Sequence, residues 1–229
     1  MREIVLDTET TGLDPLAGHR VIEIGCVELY SFLPTGQTRQ FYLNPDRDIP
    51  EESFKVHGLS AAFLADKPRF PDVVEDFLAF IGDSPLIIHN ADFDLRFLNA
   101  ELRLAKRPPI AVERAIDTVH LARSKFPGAQ VNLDALCRRF EIDLTARVLH
   151  GALLDCELLA AVYLELRGGR QPGLVLDAAV GTAAAVEAIG ELAQACAEAR
   201  PPRQHRATEA ELAAHAAMLA QLKNPIWLG

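Results

Sequence analysis

The chain has 229 residues, 49% of them apolar, which allows one good-sized hydrophobic core plus an appendage and leaves little room for two full domains. Acidic residues outnumber basic ones, 32 to 23, for a formal net charge of −9, which argues against broad neutralisation of nucleic-acid phosphate by a lysine and arginine surplus. An acidic chain can still work on phosphates if its carboxylates cluster around divalent cations, which then carry the positive charge.

No apolar run approaches the roughly 20 residues needed to cross a bilayer, and the start MREIVLDTET lacks the basic and apolar regions of a signal peptide. Cys26, Cys137, Cys156 and Cys196 are scattered, without C-x-x-C spacing. The expectation is a cytoplasmic protein with reduced thiols, mostly filling the core.

In chain order, Glu3 to Leu6 reads as a strand. Val21 to Tyr30 and Gln40 to Leu43 read as two more, with a turn at Pro34 to Gly36, so the first three strands are expected to form an antiparallel meander. Helical periodicity then takes over. A short helix is expected around Ser60 to Leu64, and a longer one over Asp72 to Ile81 with a proline at its start. Pro85 to His89 is a short buried strand. Ala91 to Lys106, Thr118 to Lys125, Leu133 to Phe140 and Ala152 to Arg167 read as helices, with a short strand near Ala115 to Ile116. Strands alternating with amphipathic helices indicate an α/β domain over residues 1–167.

Composition changes at Gly168. Residues 168–202 are rich in Ala and Gly, bounded by prolines and poor in large apolar residues, as in a tether. Residues 203–229 regain pattern: Thr208 and Glu211 form a capping-box signature, and Leu212, Met218, Leu219 and Leu222 make an apolar stripe. Ending in Ile226, Trp227 and Leu228, this tail reads as a docking peptide.

Three separated segments carry chemistry. Asp7 and Glu9, two apart in an extended segment, point to one face; alone such a pair means little, because Asp46/Asp48 and Glu141/Asp143 share the spacing. Asp7 is read at the carboxyl end of its strand, followed by a turn. Asp94 sits in the first turn of a helix after the strand Leu86 to Ile88, either as a dipole-complementing acid or as a second site acid. If the two strands are parallel neighbours, these carboxylates meet at one edge of the sheet. His150 and Asp155 are five apart, about 140° on an ideal helix, so His150 belongs before the helix and Asp155 near its start, with Gly151 permitting the bend. Carboxylates with one histidine and no cysteine partner suit Mg²⁺ or Mn²⁺ rather than structural zinc, and an imidazole can take the proton of an attacking water at neutral pH.

DTETTGL, HNADFD and HGALLDCELLA, in this order, resemble the three motifs of the DEDDh 3′-to-5′ exonucleases over about residues 3 to 167. The resemblance implies a ribonuclease-H-like fold, a mixed five-stranded sheet flanked by helices. It also implies that Asp7, Glu9 and Asp155 ligate a first metal, that Asp7 reaches a second, that Asp94 helps hold the arrangement, and that His150 is the general base. Within the family the chain is most similar to proofreading subunits of bacterial DNA polymerase III. That likeness implies substrate contacts from Asp7, Glu9, Thr10, His57, Phe93 and His150, with His57 equally readable as a helix-cap or core histidine.

Gln171, Leu174 and Leu176 resemble a sliding-clamp-binding peptide, residues 171–176, and Trp227 resembles the anchor of a polymerase-binding tail. Expected partners are thus a single-stranded or frayed primer 3′ end, the polymerase (alpha) subunit, the sliding clamp and a small theta-like subunit, with no membrane. Two alternatives stay open: an exoribonuclease on the same fold, and a subunit that chiefly links clamp and polymerase.

Overall fold

The computed structural model describes residues 1–145, 147, 149–169 and 207–221. The chain divides into two units, Met1–Leu174 and Val175–Gly229. Of the second, the described part centres on one helix, Glu209–Leu219. Gln171, Leu174, Leu176 and Trp227 lie outside the described residues. Among the described residues no helix is long and apolar enough to cross a membrane.

The first unit is built on five strands, β1 (Arg2–Thr10), β2 (Val21–Tyr30), β3 (Leu33–Tyr42), β4 (Leu86–Ile88) and β5 (Ala115–Asp117), in the order β3-β2-β1-β4-β5. The first three form the expected antiparallel meander, while β4 runs parallel to both β1 and β5. The sheet is therefore mixed, and β1 lies at its centre. Among the described residues of this unit there are seven α-helices: α1 (Glu51–His57), α2 (Ala61–Leu64), α3 (Phe70–Ile81), α4 (Ala91–Leu104), α5 (Thr118–Lys125), α6 (Leu133–Arg139) and α7 (Ala152–Leu166). The helix of the second unit is α8 (Glu209–Leu219), and it begins with the Thr208/Glu211 capping box expected from the sequence.

Alternation along β1 sorts its residues between the two faces. Ile4 and Leu6 join Phe77 of α3 and Leu98 of α4 in one core cluster. Val5 joins Ala122 of α5, Leu136 of α6 and Leu159 of α7 in the other. Cys26, Cys137 and Cys156 are buried free thiols, in line with core filling.

Three local details differ from the sequence reading. β1 continues through Asp7 and Glu9 to Thr10, and the register shift falls between Glu9 and Thr10 rather than after Asp7. The hairpin joining β2 to β3 turns at Ser31 and Phe32, both at positive φ (50° and 69°), with Tyr30 paired to Leu33. Pro34 therefore lies inside β3, which tolerates it because β3 is an edge strand. Helix α1 was not foreseen: its residues show no apolar stripe, and only His57 is buried.

The packing of α7 on the sheet depends on Gly25 of β2. A Cβ there would lie 2.3 Å from the carbonyl carbon of Ala152 and 2.5 Å from the nitrogen of Leu153. The helix start thus rests directly on the strand backbone. The thiol of Cys156 donates to the carbonyl oxygen of Gly25 at 3.2 Å, fixing the next turn to the same spot. Gly25→Ala is expected to lose about 1–3 kcal/mol of stability through overpacking, measured by urea unfolding, because the atoms it meets are backbone.

Candidate active site

The odd-numbered residues of β1 face α7, so Asp7 and Glu9 stand side by side under its first turns. Gly151 caps α7 in an extended conformation (φ −152°, ψ 125°) and separates His150, in the preceding loop, from Asp155, whose N–H donates to the Gly151 carbonyl at 2.8 Å. Ligand atoms of Glu9, His150 and Asp155 all lie within 4.8 Å of one another. Asp7 is half-buried and lines an open cavity of about 390 Å³ with His89, Asp134, Arg147, His150 and Asp155.

Asp94 reaches the group from the other side of the strand. Its carboxylate accepts from the Thr8 hydroxyl at 2.7 Å, and Thr8, an even-numbered residue, faces α4. Asn90 precedes this helix at φ 68°, a left-handed conformation that asparagine tolerates better than most residues. The parallel pairing of β1 and β4 makes the Asp7 and Asp94 segments leave the sheet at one edge, as the sequence implied.

The acids disturb one another. Burial raises the Asp7 pKa well above the carboxylate range, and the charges of Asp94, Glu9 and Asp155 raise it further. Glu9 is pushed up to about 8 by burial and by Asp155 and Glu23. Burial also lifts Asp94, against hydrogen bonds such as that from Thr8. For Asp155 burial again pushes upward, yet the hydrogen bonds and the charge of Arg147 hold it below its ordinary value. An oxygen-rich cluster of this kind fits a hard divalent cation, whose charge would remove the repulsion.

A second, larger cavity of about 630 Å³ opens beside Glu9 and is lined by Thr10, Gly12, His57 and Phe93 among others. Thr10 closes a turn by donating to the Gly12 carbonyl at 2.6 Å. Phe93 packs on Phe97 with ring centroids 5.0 Å apart. His57 is 5% exposed; its Nδ1 accepts from the Leu59 N–H at 3.0 Å, so the neutral ring carries its proton on Nε2. That nitrogen is buried and has no partner. Burial also lowers the His57 pKa, favouring the neutral donor form.

Two residues of the site were not singled out by sequence. Glu23, 1% exposed, pairs across the sheet with Glu9. It accepts from Gln40 at 2.7 Å and from the backbone of Ala152 and Leu153, supplying the α7 cap that Gly151 cannot. Arg147 donates to both oxygens of Asp155, at 2.6 and 2.7 Å. The Glu23 interaction follows from strand register, which no local pattern reveals. Arg147 lies in a loop whose chemistry depends on what it faces.

These shifts fix a pH dependence. Glu9 binds its proton more tightly folded than unfolded, so its contribution to stability is present below about pH 4.5 and is lost as pH rises toward 8; Asp7 and Asp94 act in the same direction. In chelator, the melting temperature is expected to fall between pH 5 and pH 8. Added Mg²⁺ should raise it more at pH 8 than at pH 5.5, as followed by circular dichroism.

Residues 4–163 match the family model described as Exonuclease (RNase_T). The chain is 43% identical over 225 residues to the DNA polymerase III subunit epsilon of Salmonella typhimurium, covering 95% of this chain and 92% of that one. It is 55% identical over 186 residues to the subunit of the same name from Rickettsia felis, covering 80% and 81%. Among solved structures it resembles exonuclease X in complex with 5′ overhanging duplex DNA, with a TM-score of 0.56 and 28% identity over 72% of this chain and 90% of that one. It also shares its fold with the nuclease domain of 3′hExo, a DEDDh family member bound to rAMP, with a TM-score of 0.62 and 21% identity over 73% and 90%. With its motif residues gathered at one sheet edge and these relatives matched over most of its length, the chain belongs to the DNA polymerase III epsilon subunits of the exonuclease family.

Proposed function

We propose that Asp7, Glu9 and Asp155 hold two divalent cations, Mg²⁺ or Mn²⁺, and that Asp94 steadies this set from the α4 side through Thr8. The convergence of Glu9, His150 and Asp155 within 4.8 Å, beside the groove that ends at His57 and Phe93, carries the reading. The activity is 3′-to-5′ exonucleolysis: hydrolysis of the 3′-terminal phosphodiester of a single-stranded or frayed DNA primer end, releasing nucleoside 5′-monophosphates, in proofreading for the replicative polymerase. Held by these carboxylates, divalent cations would supply charge against the phosphate and would lower the pKa of the attacking water.

The side chains divide the remaining work. His57 offers its unpartnered Nε2–H to the terminal nucleotide, and Phe93 gives an aromatic face for a base to stack on. Thr10 and its turn shape the groove floor next to Glu9. His150, half exposed at the site, takes the proton of the attacking water at a ring nitrogen. Mispaired ends are preferred because they fray more readily into the unpaired form that the groove accepts.

We further infer that residues 1–167 form the exonuclease domain, residues 168–202 a linker, and residues 203–229 a polymerase-binding tail, in a cytoplasmic protein. Gln171, Leu174 and Leu176 would engage the sliding clamp and Trp227 the alpha subunit, with a small theta-like subunit as a further partner. Support comes from the sequence pattern and from α8, whose Leu212 and Met218 are exposed. Removing residues 168–229 should abolish polymerase association in a pull-down while sparing hydrolysis of free single strands; retained association would rule out the tail.

Asp7→Ala is expected to lose nearly all Mg²⁺-dependent hydrolysis while keeping its circular dichroism spectrum. His150→Gln should lower kcat about 10²–10⁴-fold with Mn²⁺ still bound. Wild-type turnover in either variant would sink the assignment. Matched single-stranded DNA and RNA substrates separate proofreading from the exoribonuclease alternative, which a strong RNA preference would favour.

A further inference from the structure

Arg147 is the one arginine among the described residues that donates to Asp155, and its side chain is 9% exposed. Its Nε and Nη2 occupy both Asp155 oxygens, its Nη1 donates to Asp134, and its Nη2 lies 2.9 Å from Nδ1 of His150. A guanidinium only donates. Nδ1 of His150 is therefore the acceptor, and the neutral ring has its proton on Nε2. In this arrangement Arg147 takes a lone pair on each Asp155 oxygen, and it donates to the only unprotonated nitrogen of His150.

Building on the site assignment above, we propose that Arg147 is an internal counter-cation that competes with divalent metal for Asp155 and thereby sets the metal affinity of the site. With the bidentate guanidinium in place, Asp155 offers a metal only the remaining lone pairs of its two oxygens, and two cations on one carboxylate repel each other. Asp134 supplies the place to which the guanidinium retreats: the Nη1 contact lets the side chain turn away from Asp155 without losing a carboxylate partner. The same movement frees Nδ1 of His150. Metal loading and release of the histidine are thus one event, so the site does not acquire an accepting base before it acquires its cation.

The opposite role is also physically possible, with Arg147 orienting Asp155 so that the acid binds metal better. The two predict opposite signs. Full-length protein, Arg147→Gln, Arg147→Lys and Asp155→Asn would each be titrated with Mn²⁺ alone, following free Mn²⁺ by electron paramagnetic resonance at pH 7.5. Competition predicts about tenfold tighter Mn²⁺ binding by Arg147→Gln, the scale of a lost charge-assisted hydrogen bond. Arg147→Lys, which keeps the charge and loses the fork, should fall between it and wild type, and it decides the matter if the glutamine variant does not fold. Unchanged or weaker binding in the variants overturns the proposal. Wild-type protein that takes up no Mn²⁺, or an Asp155→Asn variant that binds like wild type, instead overturns the metal-site assignment itself.

Discussion

Backbone-to-backbone contact between β2 and the start of α7 is the constraint from which the site's geometry follows. Only the missing side chain of Gly25 lets the Ala152–Leu153 peptide lie on the strand, and Asp155 sits one turn further along the same helix. Were the helix held a side chain's width higher, Asp155 would leave the reach of Glu9. Glu23, two residues from Gly25 and on the same face of β2, accepts from the N–H groups of that same peptide region. One short stretch of strand therefore provides both the space that admits the helix and the carboxylate that caps it.

Bringing acids together in this way opposes folding. Burial, with repulsion between neighbouring charges, raises the pKa values of Asp7, Glu9 and Asp94, as expected of clustered carboxylates without a cation. The surrounding structure compensates through neutral packing. Ile4, Leu6 and Val5, between the acids' own strand positions and the two core clusters, are fully buried, and β1 is paired on both edges. A strained electrostatic feature is thus mounted on the most thoroughly fixed strand of the sheet. This is the arrangement expected where function, rather than stability, selects the residues.

Much of this was legible in the sequence because it is written locally. Asp7 and Glu9 share a face whenever their segment is extended, Gly151 must break the path between His150 and Asp155, and Thr208 with Glu211 announces the start of α8. The failures are equally specific. Helix α1 has no periodic apolar signal, since it contributes a single buried residue, His57. The β2–β3 turn uses Ser31 and Phe32 at positive φ, while the more conspicuous Pro34 and Gly36 lie within an exposed edge strand. Glu23 matters through a residue distant in sequence, Glu9, which it meets through antiparallel register, and Arg147 through the way its loop folds back on Asp155 at the start of α7. Side-chain identity shows that such residues are charged; only the fold shows what they face.

The backbone N–H of His150 donates to the carbonyl of Val56 at 3.1 Å, and Leu149 packs where a Cβ on Gly58 would stand. The loop carrying His150 therefore leans on α1, the same helix that ends in His57. The residue proposed to meet the terminal nucleotide and the residue proposed to act on its water share one support, whereas the carboxylates stand on the sheet, α4 and α7. The cleft has, in effect, a fixed acidic floor and a separate histidine wall. In the proposed complex, pressure from a nucleotide at His57 would reach His150 through the adjacent Val56 carbonyl, so that correct seating of the strand end and correct aim of the base would become a single mechanical condition.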